Sequence, residues 1–543
     1  MIYRGTLFLL LLACAASTSS RTLAAEPTAS QCAALRALKV PDTSLTEAEE
    51  VAAGIPVRVG PPFAQREIRL PSAHCLVRGE IGRHTGADGA TYAARFELRL
   101  PQDWNGRFLF QGGGGLDGLL NVAVGEQGPP GSDRETALAQ RYAVVSTDGG
   151  HQQKGLFDDG SFGHDPRALA DYQYRSTQAV TEAARMIVRA YYGRAPRYSY
   201  FQGCSNGGRE GMIAAQRYPE YFDGVIAGSP AFNLTKAMVA EAWNTVTFAA
   251  IAPAAANGRP NLPQALTDAD LKVVADAVLE HCDARDGLKD GMVDTACPFD
   301  PAVTACSATK QTSCLAAEKV AAVRRAFAGP MTSSSQPLYS DWPYDPGIAA
   351  PGWRMWILGN AQLPAINVLI FPAAMNGVAL AGEPPPIDLF RFNFDTDPQR
   401  LSKTSSALDA TASQYAGFQR RRGKILFYTG MSDPVFSAQD LMRYFGTVVA
   451  ANGGPQKTAQ FARLFLVPGM THCGGGPALD DFDALSALTD WVEKSRAPER
   501  IVAHGSAFPG RTRPLCPFPL RPRYTSKGSA EDAANFTCRA DGP

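Results

Sequence analysis

Residues 198–208 read Tyr198-Ser199-Tyr200-Phe201-Gln202-Gly203-Cys204-Ser205-Asn206-Gly207-Gly208. An aromatic, apolar run that suits a buried strand breaks at Gly203. Ser205 stands between glycines two residues before and two residues after it, the pattern G-x-S-x-G. Residues 208–217 then read as a helix, which Pro219 ends. Strand, sharp turn and helix form the setting in which this pattern presents a serine hydroxyl at the head of a parallel sheet. The flanking glycines leave room for strained backbone at the serine. The free N–H groups of the helix start point at the same spot. The competing reading is a glycine-rich turn that happens to hold an ordinary serine.

The surrounding chain supplies the rest of such a sheet. Residues 107–110 form an apolar run that ends in glycines 112–115, and residues 142–145 form another that ends in 146–150. Between them and the serine, residues 173–192 read as a helix with Ala179, Ala183, Met186, Ile187 and Ala190 on one face. Strands alternating with helices predict a parallel sheet. Beyond about residue 230 the pattern changes. Residues 236–280 read as helical, with Leu271, Val274, Ala275 and Val278 at helical spacing, and a tract rich in Asp, Cys, Pro and Gly follows. Alternation resumes with strands at 424–428 and 463–467 and a helix at 478–494. The expected architecture is an α/β-hydrolase fold with a large lid insertion. Its catalytic domain would span 26–230 and 421–543, and its lid domain 231–420.

A serine nucleophile needs a base, and the base needs a group that orients it. Of the seven histidines, only His472 stands just past a late core strand, in Val467-Pro468-Gly469-Met470-Thr471-His472-Cys473. Asp433 stands just past the strand at 424–428, before Pro434. The chain order Ser205, Asp433, His472 is that of α/β-hydrolases. The plainer alternatives are a turn aspartate and a loop histidine. An oxyanion hole needs two N–H donors. One is expected from Asn206, and the second from Gly113 or Gly114. Cys204 precedes Ser205 and Cys473 follows His472. A disulfide between them would hold their Cα atoms about 5–6 Å apart and staple nucleophile to base.

The chain has 543 residues, 45% of them hydrophobic, which is too much apolar content for general disorder. Its 52 basic and 52 acidic residues balance, so no basic excess speaks for nucleic acid as a partner. Arg4, the apolar run 7–13 and the small residues up to Ala25 read as a secretory signal peptide over 1–25. The run is too short to span a bilayer as a helix, and no other stretch is long and apolar enough to do so. A secreted or periplasmic location is expected, with a lipid anchor at Cys14 as the alternative. Ten cysteines follow the signal, an even number that suits disulfides in an exported protein. None has the C-x-x-C spacing of a zinc site.

The C-S…D…H-C arrangement resembles the tannase and feruloyl esterase family, from about Cys32 to Cys538. That resemblance implies the pairs Cys32–Cys75, Cys204–Cys473, Cys282–Cys297, Cys306–Cys314 and Cys516–Cys538. It places the family's catalytic residues on Ser205, Asp433 and His472. Residues 283–294 carry four aspartates and two glycines within 12 residues. Hard oxygen donors on a turning loop suit calcium, although the spacing is not that of an EF-hand. The resemblance implies a structural lid calcium held by Asp283, Asp286 and Asp290 with the carbonyls of Leu288 and Met292. No organic cofactor is implied. The implied substrate is a small ester of an aromatic acid: feruloyl, galloyl or related. Trp342, Trp353, Trp356, Phe371, Phe390 and Phe392 are candidates for its pocket wall. Members that cleave mono(2-hydroxyethyl) terephthalate use a lid arginine for the substrate carboxylate. Residues 355–390 contain no Arg or Lys, and only Arg354 and Arg391 flank them. The same triad could also serve an acyltransferase.

Overall fold

The computed structural model describes Met1 and residues 29–60, 65–129, 131–294 and 297–540. Apart from Met1, the expected signal segment, with Cys14, lies outside the described residues.

The main sheet is built from nine strands: β1 (Thr43–Val51), β2 (His74–Thr85), β3 (Thr91–Pro101), β4 (Arg107–Gln111), β5 (Ala143–Thr147), β6 (Tyr198–Cys204), β7 (Gly224–Gly228), β8 (Lys424–Gly430) and β9 (Ala462–Val467). Their spatial order is β1-β2-β3-β5-β4-β6-β7-β8-β9. From β5 to β9 every neighbouring pair is parallel, while β1, β2 and β3 are joined antiparallel. The sheet therefore begins at Thr43, well before the first strand that apolar runs predict.

Strand periodicity sends alternate residues to opposite faces. Phe108, Phe110, Val145, Phe201, Val225 and Phe427 join one apolar layer. Leu109, Val144, Tyr200, Ile226, Leu426 and Phe465 join the other. Both faces are covered, which is why these strands read as unbroken apolar runs. Burying each such side chain contributes roughly 1.5–3 kcal/mol.

Helix α1 (Ser176–Tyr192) packs on the sheet and stops at Gly193, whose φ is 70°. Its buried stripe is Val180, Ala183, Ala184, Ile187, Val188 and Tyr191, while Met186 and Ala190 are exposed. The expected apolar face is thus rotated toward the Val180, Ala184, Val188 and Tyr191 side, with Ala183 and Ile187 common to both. Helix α2 (Asn206–Arg217) follows β6 directly, as the strand–turn–helix reading requires.

The span expected to be helical from 236 to 280 is two helices, α3 (Leu234–Ala249) and α4 (Asp268–Cys282). Pro253, Gly258, Pro260 and Pro263 occupy the break between them. A capping box restarts the helix: Thr267 accepts the Asp270 N–H, and the Asp270 carboxylate accepts the Thr267 N–H at 2.7 Å. The segment between β7 and β8 carries its own apolar cluster, with Leu266, Val274, Val323 and Met375 at its interior. Leu116, Phe162, Tyr172 and Phe436 join that cluster and seat the segment on the carboxyl edge of the sheet. The late helix is shorter than expected, Ala484–Lys494, because Asp481–Phe482 pairs with Ile501–His504 as a strand.

Phe201 lies on the strand that delivers Ser205, fully buried and stacked on Phe110 at 4.9 Å. Phe201→Ala should cost about 3–5 kcal/mol of stability. A lowered urea midpoint, measured with the disulfides intact, checks this.

Candidate active site

Ser205 sits at φ 62° and ψ −124°, a region that non-glycine residues rarely adopt. Its surroundings hold it there. Its N–H donates to the Gly228 carbonyl at 3.0 Å, and its carbonyl accepts the Ala231 N–H at 3.0 Å. The glycines allow backbone to meet backbone. A Cβ on Gly207 would lie 2.6 Å from the Gly113 carbonyl oxygen, and one on Gly208 would lie 2.6 Å from the Gly228 carbonyl oxygen.

Asp433 and His472 follow β8 and β9, so all three residues lie at the carboxyl edge of the parallel strands. His472 Nδ1 lies 2.9 Å from Asp433 Oδ2. The other Asp433 oxygen accepts the N–H groups of Val435 at 2.9 Å and Phe436 at 3.1 Å. These donors compensate a fully buried carboxylate. His472 Nε2 is buried and has no hydrogen-bond partner among the described residues. That is the nitrogen a serine hydroxyl would use. Trp356 and Phe436 present T-shaped contacts to the imidazole, with centroids at 5.3 and 5.4 Å.

The Cys204–Cys473 disulfide joins the Ser205 turn to the His472 loop, with Cα atoms 6.0 Å apart. The other four pairs implied by the resemblance also form: Cys32–Cys75, Cys282–Cys297, Cys306–Cys314 and Cys516–Cys538, with Cα separations of 5.5, 5.7, 4.8 and 5.5 Å.

The insertion braces the same loops. Asp345, fully buried, accepts the Ser432 hydroxyl at one oxygen and the Gly469 N–H at the other, the latter at 3.2 Å. It therefore ties the Asp433 loop to the His472 loop. Burial pushes its carboxyl up from the usual range. Trp342 donates its indole N–H to the Asp433 carbonyl at 3.1 Å. Glu241 on α3 is fully buried. Burial, and to a smaller degree the Asp433 charge, push its carboxyl well above the usual range. Asp345 and Glu241 carry no motif, and nothing in the sequence singles them out.

The glycine loop differs from expectation. The Gly113 N–H donates to Glu210 Oε2 at 2.9 Å, and the Gly114 N–H donates to Asp117 Oδ1 at 2.9 Å. Both N–H groups expected to face an oxyanion are engaged by buried carboxylates in this conformation. The Asn206 backbone N–H opens α2, and neither it nor the Gly115 N–H finds an acceptor among the described residues. Beside the loop lies a cavity of about 380 Å³, lined by Gly113, Gly114, Gly115, Leu116, Leu156 and Ile370. A larger groove of about 930 Å³, lined by Phe445, Val449, Phe518 and Leu520, contains no triad residue.

Of the six candidate wall residues, Trp356 is the one whose ring meets His472. Trp342, Trp353, Phe371 and Phe392 are buried in the insertion, and Phe390 packs against its core. Arg354 donates to the carbonyls of Leu266 and Pro263 and pairs with Asp268 at 3.2 Å, which ties it within the insertion. Arg391 is exposed beside Phe392.

In the acidic loop, Asp283 accepts the N–H groups of Asp290 and Gly291. Asp290 receives Arg513 at 2.5 Å. Burial first, and then the neighbouring aspartates, push Asp286 up; burial with Asp286 and Asp290 pushes Asp294 up to about 7. Among the described residues no group of three or more acidic, histidine or cysteine side chains converges as a metal site. The carbonyls of Leu288 and Met292 accept no hydrogen bond from a described residue.

Comparison with known proteins places this geometry. The family described as "Tannase and feruloyl esterase" matches residues 75–539. The chain belongs to the tannase and feruloyl esterase family. It is 41% identical over 532 residues to a mono(2-hydroxyethyl) terephthalate hydrolase of Piscinibacter sakaiensis, covering 88% of this chain and 87% of that one. It is 30% identical over 465 residues to a probable feruloyl esterase of Arthroderma benhamiae, covering 82% of each. The crystal structure of feruloyl esterase B from Aspergillus oryzae shares the fold, with a TM-score of 0.78 at 23% identity over 94% of this chain and 100% of that one. Tannin acyl hydrolase from Aspergillus niger does so with a TM-score of 0.70 at 22% identity over 95% of each. The chain is a carboxylic ester hydrolase of α/β-hydrolase type. Among the described residues no helix is long and apolar enough to cross a membrane.

Replacing both Cys204 and Cys473 by Ala should free the base loop from the nucleophile turn. The double variant should lose on the order of 10- to 100-fold in kcat and about 2–5 kcal/mol of stability. Steady-state kinetics and thermal unfolding, side by side, read the two effects.

Proposed function

We propose that this esterase is an exported serine hydrolase of aromatic-acid esters, with Ser205 as nucleophile, His472 as base and Asp433 as the group that orients it. The observation that carries the proposal is His472. Its Nδ1 is bonded to a buried carboxylate, its Nε2 is free, and a disulfide ties its loop to the Ser205 turn. In this scheme His472 Nε2 takes the Ser205 proton as the oxygen attacks the ester carbonyl. Asp433 holds the Nδ1–H tautomer and stabilises the imidazolium. The Asn206 N–H and a donor from the glycine loop, Gly115 by its unengaged N–H, stabilise the oxyanion. The alcohol leaves with the proton from His472. Water then releases the acid by the same steps in reverse order.

Aromatic acyl groups suit the rings of Trp356 and Phe436 beside the base, and both relatives named above act on esters of aromatic acids by name. Mono(2-hydroxyethyl) terephthalate is the second candidate, favoured by the 41% identity. Against it, Arg354 is committed to carbonyls within the insertion, and residues 355–390 offer no other cation. The signal pattern at 1–25 and the five disulfides support export to the periplasm or the medium.

Calcium is part of the same proposal. The donor set is chemically suitable: the carboxylates of Asp283, Asp286 and Asp290, of which Asp286 is pushed up by burial and by its acidic neighbours, and the carbonyls of Leu288 and Met292. A bound ion would supply positive charge to that loop and hold it folded.

Chromatography of acids released from methyl ferulate, methyl gallate, mono(2-hydroxyethyl) terephthalate and a short aliphatic ester tests the assignment. Wild type should release aromatic acids, and Ser205→Ala should fall by about 10⁴-fold or more. Equal activity in both proteins would remove Ser205 as nucleophile. For calcium, chelation should lower the melting temperature and added Ca²⁺ should restore it, while Mg²⁺ should not. An unchanged melting temperature would remove the ion from the scheme.

A further inference from the structure

The glycine loop and the nucleophile turn meet at one carboxyl oxygen. Asp117 Oδ1 accepts the Gly114 N–H at 2.9 Å and the Asn206 side-chain N–H at 2.9 Å. Gly114 belongs to the loop, and Asn206 directly follows Ser205. Asp117 is thus the joint between the two elements that would supply oxyanion donors. Asn206 is held from its other side by the Arg209 guanidinium at 2.7 Å and the Tyr172 hydroxyl at 3.4 Å. The same loop is held a second time, by the Gly113 N–H on Glu210 Oε2.

These two carboxyl groups are abnormal in their surroundings. Asp117 is 4% exposed and Glu210 is 3% exposed. They lie within hydrogen-bonding reach of each other. Neither forms an ion pair with an Arg, Lys or His among the described residues, although every other nearby charge is accounted for. Arg209, beside Glu210 on α2, spends its donors on Asn206 and on the carbonyls of Gln173, Leu408 and Tyr172. His151 lies beside Asp158, and Asp148 accepts the N–H groups of Arg95 and Gly150. Asp117 Oδ2 is buried with no donor. Arg209 makes no ion pair with either group, and its single charge opposes burial and the neighbouring carboxylate only in part; two adjacent buried carboxylates so placed cannot both ionise at modest cost. One proton between them supplies the missing donor.

Building on the Ser205–Asp433–His472 assignment, we propose that Asp117 and Glu210 share a single proton and act as the positioning pair of the oxyanion hole. The pair fixes the peptide planes of Gly113 and Gly114, and through Asn206 it fixes the turn that carries Ser205. It also keeps the charge behind the loop at one negative unit. A second negative unit there would oppose the oxyanion of the tetrahedral intermediate. Burial, and then the Glu210 carboxylate, hold the Asp117 carboxyl well above the usual range, which is the direction the sharing requires.

The variants Asp117→Ala, Asp117→Asn and Glu210→Gln separate positioning from bulk stability. Asparagine keeps an acceptor for Gly114 and Asn206 and donates an N–H toward Glu210, as the protonated acid would. Asp117→Ala should lose about 10²-fold in kcat with KM within about threefold, the scale of losing an oxyanion donor. Asp117→Asn should recover at least a tenth of the wild-type kcat. Wild-type kcat should fall at alkaline pH as the shared proton leaves, and that fall should be absent in Asp117→Asn and in Glu210→Gln. Equal losses in Asn and Ala, or an alkaline limb unchanged in both conservative variants, would overturn the proposal. If Asp117→Ala does not fold, the pH profiles of the conservative variants decide alone. Labelling by a fluorophosphonate probe, mapped to its residue, tests Ser205 separately. Labelling elsewhere sinks the triad assignment, whereas labelling at Ser205 with unchanged pH profiles sinks only the carboxyl pair.

Discussion

The backbone of Ser205, at φ 62° and ψ −124°, is the constraint on which the rest of the site depends. Such a conformation costs of order 1–3 kcal/mol and persists only where neighbours over-determine it. Here they do so on four sides. Gly228 and Ala231 grip the Ser205 peptide groups from β7 and the turn after it. Gly207 lets the glycine loop come within backbone contact. Cys204 anchors the turn covalently to Cys473. Asp117 ties Asn206 to Gly114. A turn held in this way presents its serine with no further reorganisation, which is what efficient attack requires.

The electrostatics around the turn follow from burial. Three donors converge on the buried Asp433 carboxyl: the His472 ring and two backbone N–H groups. Burial pushes the carboxyls of Asp345, Glu241 and Asp117 toward the neutral form, although Asp345 also accepts three donors, from Ser432, Gly347 and Gly469. The site thus surrounds one compensated carboxylate with acids whose charge is suppressed. That arrangement leaves His472 facing Asp433 with few competing negative charges. It also limits the negative potential that an oxyanion must meet.

Much of this was legible in the sequence where chemistry and spacing coincide. The G-x-S-x-G turn after an aromatic strand, an aspartate and a histidine each just past a strand, and a cysteine beside both serine and histidine are local signals. The parallel strands were readable because burial on both faces makes them continuously apolar. Strands β1, β2 and β3 were not, since Glu47, Glu49, Arg78, Glu80 and Arg95 interrupt them. Those charges pair across the antiparallel strands, as Arg78 does with Glu47 and Glu97. The break at 250–267 is masked in the sequence because helical spacing on its far side outweighs three prolines. The orientation of the Gly113 and Gly114 N–H groups depends on Asp117 and Glu210, the latter 97 residues from Gly113 in sequence. No local pattern reports such a contact.

The insertion has two roles that pull on its sequence differently. Asp345 and Trp342 hold the Asp433 and His472 loops, and they must stay fixed if His472 is to stay in register with Ser205. Substitution there would disturb every substrate alike. Selectivity among acyl groups therefore has to reside in insertion residues that face the site without bracing it. Trp356 meets His472 edge-on yet makes no hydrogen bond to either loop among the described residues, and Ile370 lines the cavity beside the glycine loop. Arg354 is excluded by its ties to Pro263, Leu266 and Asp268. With no cation in residues 355–390 and Arg354 tied elsewhere, a carboxylate carried by an acyl group beside that stretch would have to stay in water. A neutral aromatic acyl group avoids this cost. The ties that hold Arg354 within the insertion thereby keep its guanidinium from serving an anionic acyl group.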